Sequence, residues 1–364
     1  MWYVASLLPM PVWVLSELNT ILFSFFWGGK KDLVARAVVV HPKSAGGFSV
    51  VSVRHKVYAL LVQWVRRMVV SPSGWVSLLT FWFFDRFGAA PHDVFSNPAS
   101  FAPERLPPFY ASLLRAWGAI QGSSSSSSSL VVGSSQHVDP VAVASVSTKS
   151  CYVLLLSLSP CIPHCVSKFS PIYGPIDWKS TWASLYFLPL DRPVSDLNWK
   201  IAHGVLYTAD RLISFGLDVP AACFCGAALE TPAHLFFRCP LARSGVDWVQ
   251  TLLSTFSVDA PSLDVRHLLF GFSEADLRIV PKVFCYMLNV CKFFIWSQRN
   301  DFCFRSVRPS AVGLICSIKA RLRFFLPVFF RRFRSARRRR VFHKQWGANG
   351  VIGSVCDGVF KMAF

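Results

Sequence analysis

Cys223 and Cys225 stand one residue apart, His234 follows nine positions later, and Cys239 comes five after that. Three thiols and an imidazole within seventeen positions combine soft sulfur and borderline nitrogen donors, a set that suits zinc. Four protein ligands close a tetrahedral shell and leave no position for an activated water, so the expected chemistry is a structural Zn2+ ion.

The elements around these residues must bring them to one point. Gly226, directly after the second cysteine, permits the positive-φ turn of a ligand-bearing knuckle because it lacks a Cβ. Thr231-Pro232 reads as a helix start, Thr as N-cap and Pro at the first helical position. His234 then falls in the first turn of a short helix that Pro240 limits, and Cys239 lies at its exit. At 3.6 residues per turn, positions five apart are offset by about 140°, so the turn must unwind for both side chains to reach one ion.

The wording from Asn198-Trp199-Lys200 and His203-Gly204, through Phe215-Gly216, Cys223-Phe-Cys225-Gly226 and Glu230-Thr231, to His234-Leu235-Phe236 and Cys239-Pro240 resembles a known segment. It is the zinc-binding segment that follows the reverse transcriptase domain in non-LTR (LINE-type) retrotransposon proteins. The resemblance covers about residues 176–245, and shorter pieces extend it: Phe26-Trp27-Gly28-Gly29, the turn from Pro42 to Phe48, and Ile295-Trp296 with Arg299-Asn300. It implies a thumb remnant near the N-terminus and, as ligand, the element's own RNA or nicked target DNA. Tyr207-Thr-Ala-Asp210 has a single Asp where a polymerase loop carries two, and the chain holds no Asp-Asp pair. Such a pair would hold the divalent metals of nucleotidyl transfer, so the expectation is no enzyme. Beginning inside what resembles the thumb, the chain reads as a truncated or degenerate copy of an element.

Charge points to a partner. The chain carries 38 Lys and Arg against 19 Asp and Glu, a net charge of +19, which predicts RNA or DNA first and an anionic membrane surface second. Thirteen of the basic residues lie between Asp301 and Asp357, and Arg331, Arg332, Arg334, Arg337, Arg338, Arg339 and Arg340 place seven arginines in ten positions. Such a run suits phosphate contact or nuclear import. The expected location is intracellular and nuclear, with a cytoplasmic ribonucleoprotein stage. Eleven cysteines without a regular framework fit reduced thiols. Cys151, Cys161, His164 and Cys165 form a second cluster, which Pro160 and Pro163 make too irregular for a site. Charges interrupt every long apolar stretch, so no spanning helix is expected.

The fold class expected is mainly α: helical bundle segments with one β-hairpin near the N-terminus (Val34 to Val40 against Phe48 to Val53) and the small CCHC zinc knuckle. Residues 1–118 read as a thumb-like helical region whose aromatics pack as core. Residues 119–150, with Ser123 to Ser129, read as a low-complexity linker too polar to bury surface. Residues 151–300 read as a helical domain holding the zinc segment, with one helix over 194–215, and 301–364 as a basic tail. The alternative function is a peripheral membrane or protein-interaction module, or a degenerate copy with no function.

Overall fold

A computed structural model describes residues 2–70, 73–121, 147–356 and 358–364. It is mostly helical, and the chain divides into two compact units. The serine run expected as a linker lies outside the described residues.

The first unit comprises the chain through His41 and Ser49–Cys161. Its helices are α1 (Trp2–Leu7), α2 (Val12–Phe26), α3 (Arg36–Val40), α4 (Val53–Val70), α5 (Gly74–Phe87), α6 (Pro91–Ser96), α7 (Pro108–Gln121) and α8 (Thr148–Ser157). Helix α4 organises it: Val57, Leu61 and Val65, four residues apart, are buried and share one face. They meet Leu113, Leu114 and Trp117 of α7 and Leu155 of α8 in one apolar cluster. The aromatic stretch packs as core in its inner half, where Phe83, Phe95 and Trp117 are buried. The Trp117 indole N–H donates to the Phe95 carbonyl at 2.8 Å, so its one polar atom is satisfied.

The N-terminal hairpin is not formed. Val38 and Val39 belong to α3, and the return segment meets that region through only two backbone bonds, Ser49 N–H to His41 O and Val50 N–H to Val39 O. Pro42, which has no N–H to give a ladder, starts a 3-10 turn over Lys43–Ala45 instead. The β-branched run is read by burial rather than by strand propensity. Among the described residues the sheet is a C-terminal hairpin, β1 (Gly353–Cys356) antiparallel to β2 (Val359–Met362), with Cys356 opposite Val359. Its signal is Asp357-Gly358 between short apolar runs, a preferred two-residue turn sequence, and Gly358 has φ +74°.

The second unit comprises Pro42–Phe48 and Ile162–Phe364. Its helices are α9 (His164–Tyr173), α10 (Trp178–Phe187), α11 (Arg192–His203), α12 (Ala209–Ser214), α13 (Pro240–Phe256), α14 (Val265–Phe270), α15 (Glu274–Ile279), α16 (Lys282–Arg305), α17 (Ala311–Phe330) and α18 (Ala336–Gln345). The single helix expected over 194–215 is two, because Gly204 ends α11 at φ +64°, the left-handed conformation that closes helices. Helix α16 is the axis. Val283 to Lys292 is buried all round, and Gly245 of α13 lets it close in: a Cβ there would stand 2.9 Å from both Cys291 Sγ and Leu314 Cδ2. The stretch expected as a tail carries α17, α18 and the hairpin, joined by an aromatic cluster in which Phe342 lies 5.0 Å from Phe330 and 5.1 Å from Phe360. Among the described residues no helix is long and apolar enough to cross a membrane.

The segment Pro42–Phe48 seats on α10 and α11. The Gly46 carbonyl accepts from Trp199 Nε1 at 3.0 Å and His203 Nε2 at 2.9 Å. Gly46 itself has φ +83°, and a Cβ would stand 2.8 Å from the Trp182 ring. The His203 ring is stacked on Trp182 at 4.7 Å, and its Nδ1 faces Cys165 Sγ at 3.8 Å. Burial drives the His203 pKa down to about 4, against the Gly46 hydrogen bond, which raises it. Burial also pushes the Cys165 thiol up to about 12, so it stays protonated. The native state thus binds a proton at His203 only near pH 4, whereas the unfolded chain takes one near 6.5. This contribution is fully present above pH 6.5 and is lost as pH falls towards 4, by about 1.4 kcal/mol per unit and about 3 kcal/mol in all. Urea midpoints measured from pH 7.5 to 4.5 should show this loss, and His203→Gln, which keeps a donor but does not titrate, should flatten that part of the slope.

Candidate metal centre

The knuckle folds by short-range rules. Gly226 has φ +91°, its N–H donates to the Cys223 carbonyl at 2.9 Å, and the Cys223 N–H donates to the Ala227 carbonyl at 2.9 Å. This tight loop turns Cys223 inward and leaves Cys225 exposed. Thr231 caps the next element, its Oγ1 accepting from the His234 N–H at 3.1 Å and its carbonyl accepting from the Leu235 N–H at 2.8 Å.

That capped element is a π-helical turn, His234–Arg238. The Cys239 N–H donates to the His234 carbonyl at 2.7 Å, a bond five residues long that widens the turn. An α-turn would leave His234 and Cys239 far apart around the axis; the wider one brings them to the same side. Leu235 and Phe236, fully buried, anchor the turn in the core.

The four ligand atoms of Cys223, Cys225, His234 and Cys239 lie within 4.8 Å of one another, with Cys225 Sγ 3.2 Å from His234 Nε2. A tetrahedral zinc with ordinary bond lengths needs donor separations of about 3.5–3.8 Å, so the set fits with a small contraction. Among the described residues no other His, Cys, Asp and Glu group offers such a cluster. The donors are prepared for a cation. Cys239 precedes α13, and the Cys223 hydrogen bond, aided by the backbone N–H groups of Leu241 and Ala242, holds its thiol below the usual value against burial. The same hydrogen bond, with burial, pushes the Cys223 thiol up. Burial and the nearby Arg238 keep the His234 imidazole below its ordinary value, with Glu230 opposing; neutral imidazole is the form that ligates.

One part of the site was hidden in the sequence. Glu230, four positions before His234, is buried against Arg299 of α16, whose NH2 group reaches Oε1 at 2.7 Å while Nε meets both oxygens at 3.1 and 3.0 Å. Glu230 also accepts from the Ala209 N–H at 3.2 Å. Both residues stand in recognisable motifs, but their partnership spans 69 positions, beyond what spacing reveals. Phe224 adds an apolar tie, its ring 5.9 Å from that of Phe302 on the same helix.

The remaining candidates fall elsewhere. Asp210 accepts a hydrogen bond from Thr208 Oγ1 at 2.6 Å in the first turn of α12. Cys165 faces His203 rather than a metal set. Arg331, Arg332, Arg334, Arg337, Arg338, Arg339 and Arg340 are all exposed, after α17 and along the first half of α18. No carboxylate among the described residues pairs with any of them, although arginines elsewhere are paired, as Arg243 is with Asp247 and Arg305 with Asp301.

Residues 171–245 match the family described as zinc-binding in reverse transcriptase. Over 185 residues, 49% of the chain, the sequence is 28% identical to the transposon TX1 uncharacterized 149 kDa protein of Xenopus laevis. The chain covers 13% of that protein's length.

Proposed function

We propose, for a chain that carries a retrotransposon reverse-transcriptase-related region, that it is a zinc-stapled nucleic-acid-binding part of a LINE-type protein and supplies no polymerase chemistry of its own. Cys223, Cys225, His234 and Cys239 would hold one Zn2+ ion, which supplies cross-linking rather than catalysis because all four of its positions are taken by protein. The matched family and the related transposon protein support the retrotransposon setting. The ligand is RNA or DNA, met in the nucleus.

The observation that carries nucleic-acid binding is the arginine run: seven guanidiniums, exposed and without carboxylate partners among the described residues, on and beside one helix. Such groups neutralise phosphates and release condensed counterions, which makes affinity fall steeply with salt. Replacing Arg337, Arg338, Arg339 and Arg340 together by Gln in the full, zinc-loaded chain should lower the slope of log affinity against log salt by about 3, each lost phosphate contact being worth about 0.7–0.9. Fluorescence anisotropy with labelled 20-nucleotide RNA and DNA reads this. Unchanged affinity and slope would overturn the arginine surface as the contact.

A further inference from the structure

The arginine run is not a flat charged face. The end of α17, the turn after it and the first half of α18 enclose an open groove of about 510 Å³. Arg332, Arg337 and Arg338 line it together with Phe329, Phe333 and Val341. The guanidiniums come from two different elements, and the rings between them are half-buried. The groove is held in shape. Arg339 Nε donates to the Phe333 carbonyl at 3.2 Å, and the Ser335 hydroxyl accepts from the Arg338 N–H at 3.3 Å. Phe333 packs edge-on against Phe329 at 5.3 Å and Phe342 at 5.0 Å, while the Arg332 guanidinium lies over the Phe329 ring, 5.8 Å from its centroid.

Phosphate contact alone needs no apolar floor. A duplex presents phosphates outside and hides its base faces in the stack, so the rings would find no partner there. A single strand offers both features at once, a charged backbone and free π-faces, and aromatic side chains beside basic ones are the common means of holding it. The volume lies within the range of pockets that seat small organic molecules, enough for one base. An anionic lipid surface is the less suitable partner, because membrane-binding faces put their large apolar groups outermost, whereas Phe329 and Phe333 are half-buried between the arginines.

We infer that the groove between α17 and α18 takes an unpaired nucleotide, its base against Phe333 and its flanking phosphates on Arg332, Arg337 and Arg338, so that the chain prefers single-stranded RNA or DNA to duplex. This rests on the nucleic-acid reading above and specifies its ligand. Two measurements on the full, zinc-loaded chain test it. The first is anisotropy at one salt concentration with a labelled oligo-dT or oligo-U 12-mer and a duplex of equal length, for the wild type and for Phe333→Leu, which keeps most of the packing volume but cannot stack. Expected are at least tenfold tighter binding of the single strand, and a loss of about tenfold for Phe333→Leu on the single strand with duplex affinity and salt slope unchanged. The second needs no substitution: irradiation with a 5-bromouracil-substituted strand should cross-link within residues 329–341, located by mass spectrometry.

Equal affinity for both forms, with cross-links absent from that stretch, overturns the groove while leaving the arginine surface standing. No binding to any nucleic acid overturns both. Binding to phosphatidylserine vesicles that competes off the oligonucleotide and is weakened by Phe333→Leu would give the groove to lipid and overturn the inference.

Discussion

Stripping zinc from the full chain with a strong chelator should unfold the segment around Cys223 to Cys239 while the first unit keeps its structure. The ligand atoms come from a loop, a π-turn and a helix cap, none of which is long enough to persist alone. Their common tether would be the ion, and structural zinc contributes on the order of 10 kcal/mol to such sites. Elemental analysis should find one zinc per chain, and hydrogen exchange should show protection lost over residues 221–245 on chelation and restored by Zn2+. Cys239→Ser should reproduce the loss permanently, because Cys239 is fully buried and a hydroxyl there is a poor ligand left without its metal. A protein with all of these thiols reduced and no bound zinc would refute the assignment.

The second large effect belongs to the ion pair beneath the knuckle. Arg299→Ala should destabilise the second unit by about 3–5 kcal/mol, since it leaves the Glu230 carboxylate buried with its charge uncompensated. Glu230→Gln should cost somewhat less, because the amide oxygen still accepts from the Ala209 N–H and from Arg299, although it leaves the Arg299 guanidinium buried without its counter-charge. The double replacement Glu230→Leu with Arg299→Met should recover much of the loss, as buried pairs commonly exchange with apolar groups at little net cost. Denaturant midpoints with saturating zinc measure all three. If Arg299→Ala leaves the midpoint where it was, the pair is not holding the knuckle to α16. Zinc affinity should weaken in the same order, because the pair fixes the backbone four residues before His234.

The clustering of Cys223, Cys225, His234 and Cys239 was legible because its rules are local: residue spacing, a glycine for the tight turn, a Thr-Pro start and a proline stop all act within a few residues. The requirement that the turn between His234 and Cys239 depart from an α-helix was legible too, although its form, a π-turn, was not; spacing says how far a side chain must move and not how the backbone yields. The N-terminal hairpin failed for the opposite reason. Val34 to Val40 looks extended by composition, but Val38 and Val39 are buried in a helix of the first unit, and the intervening Pro42–Phe48 serves the second unit instead. Long-range partnerships such as Glu230 with Arg299 leave no periodic trace. The C-terminal stretch was read by its charge, which hid the aromatic cluster of Phe330, Phe342 and Phe360 that gives it a core.

The placement of Gly46 has a consequence for how the protein is made. Its carbonyl acceptor and the Trp199 donor are 153 residues apart, so at ordinary translation rates of about 5–20 residues per second the loop waits about 8–30 s after synthesis before its partner exists. During that interval the ribosome-bound chain holds both borders of the loop, but the seven residues between them have nowhere to dock. A shortened chain begun at Ile162 would have the reverse defect, an indole and an imidazole with no carbonyl to meet. The second unit is therefore not a module that a contiguous cut of the gene can deliver.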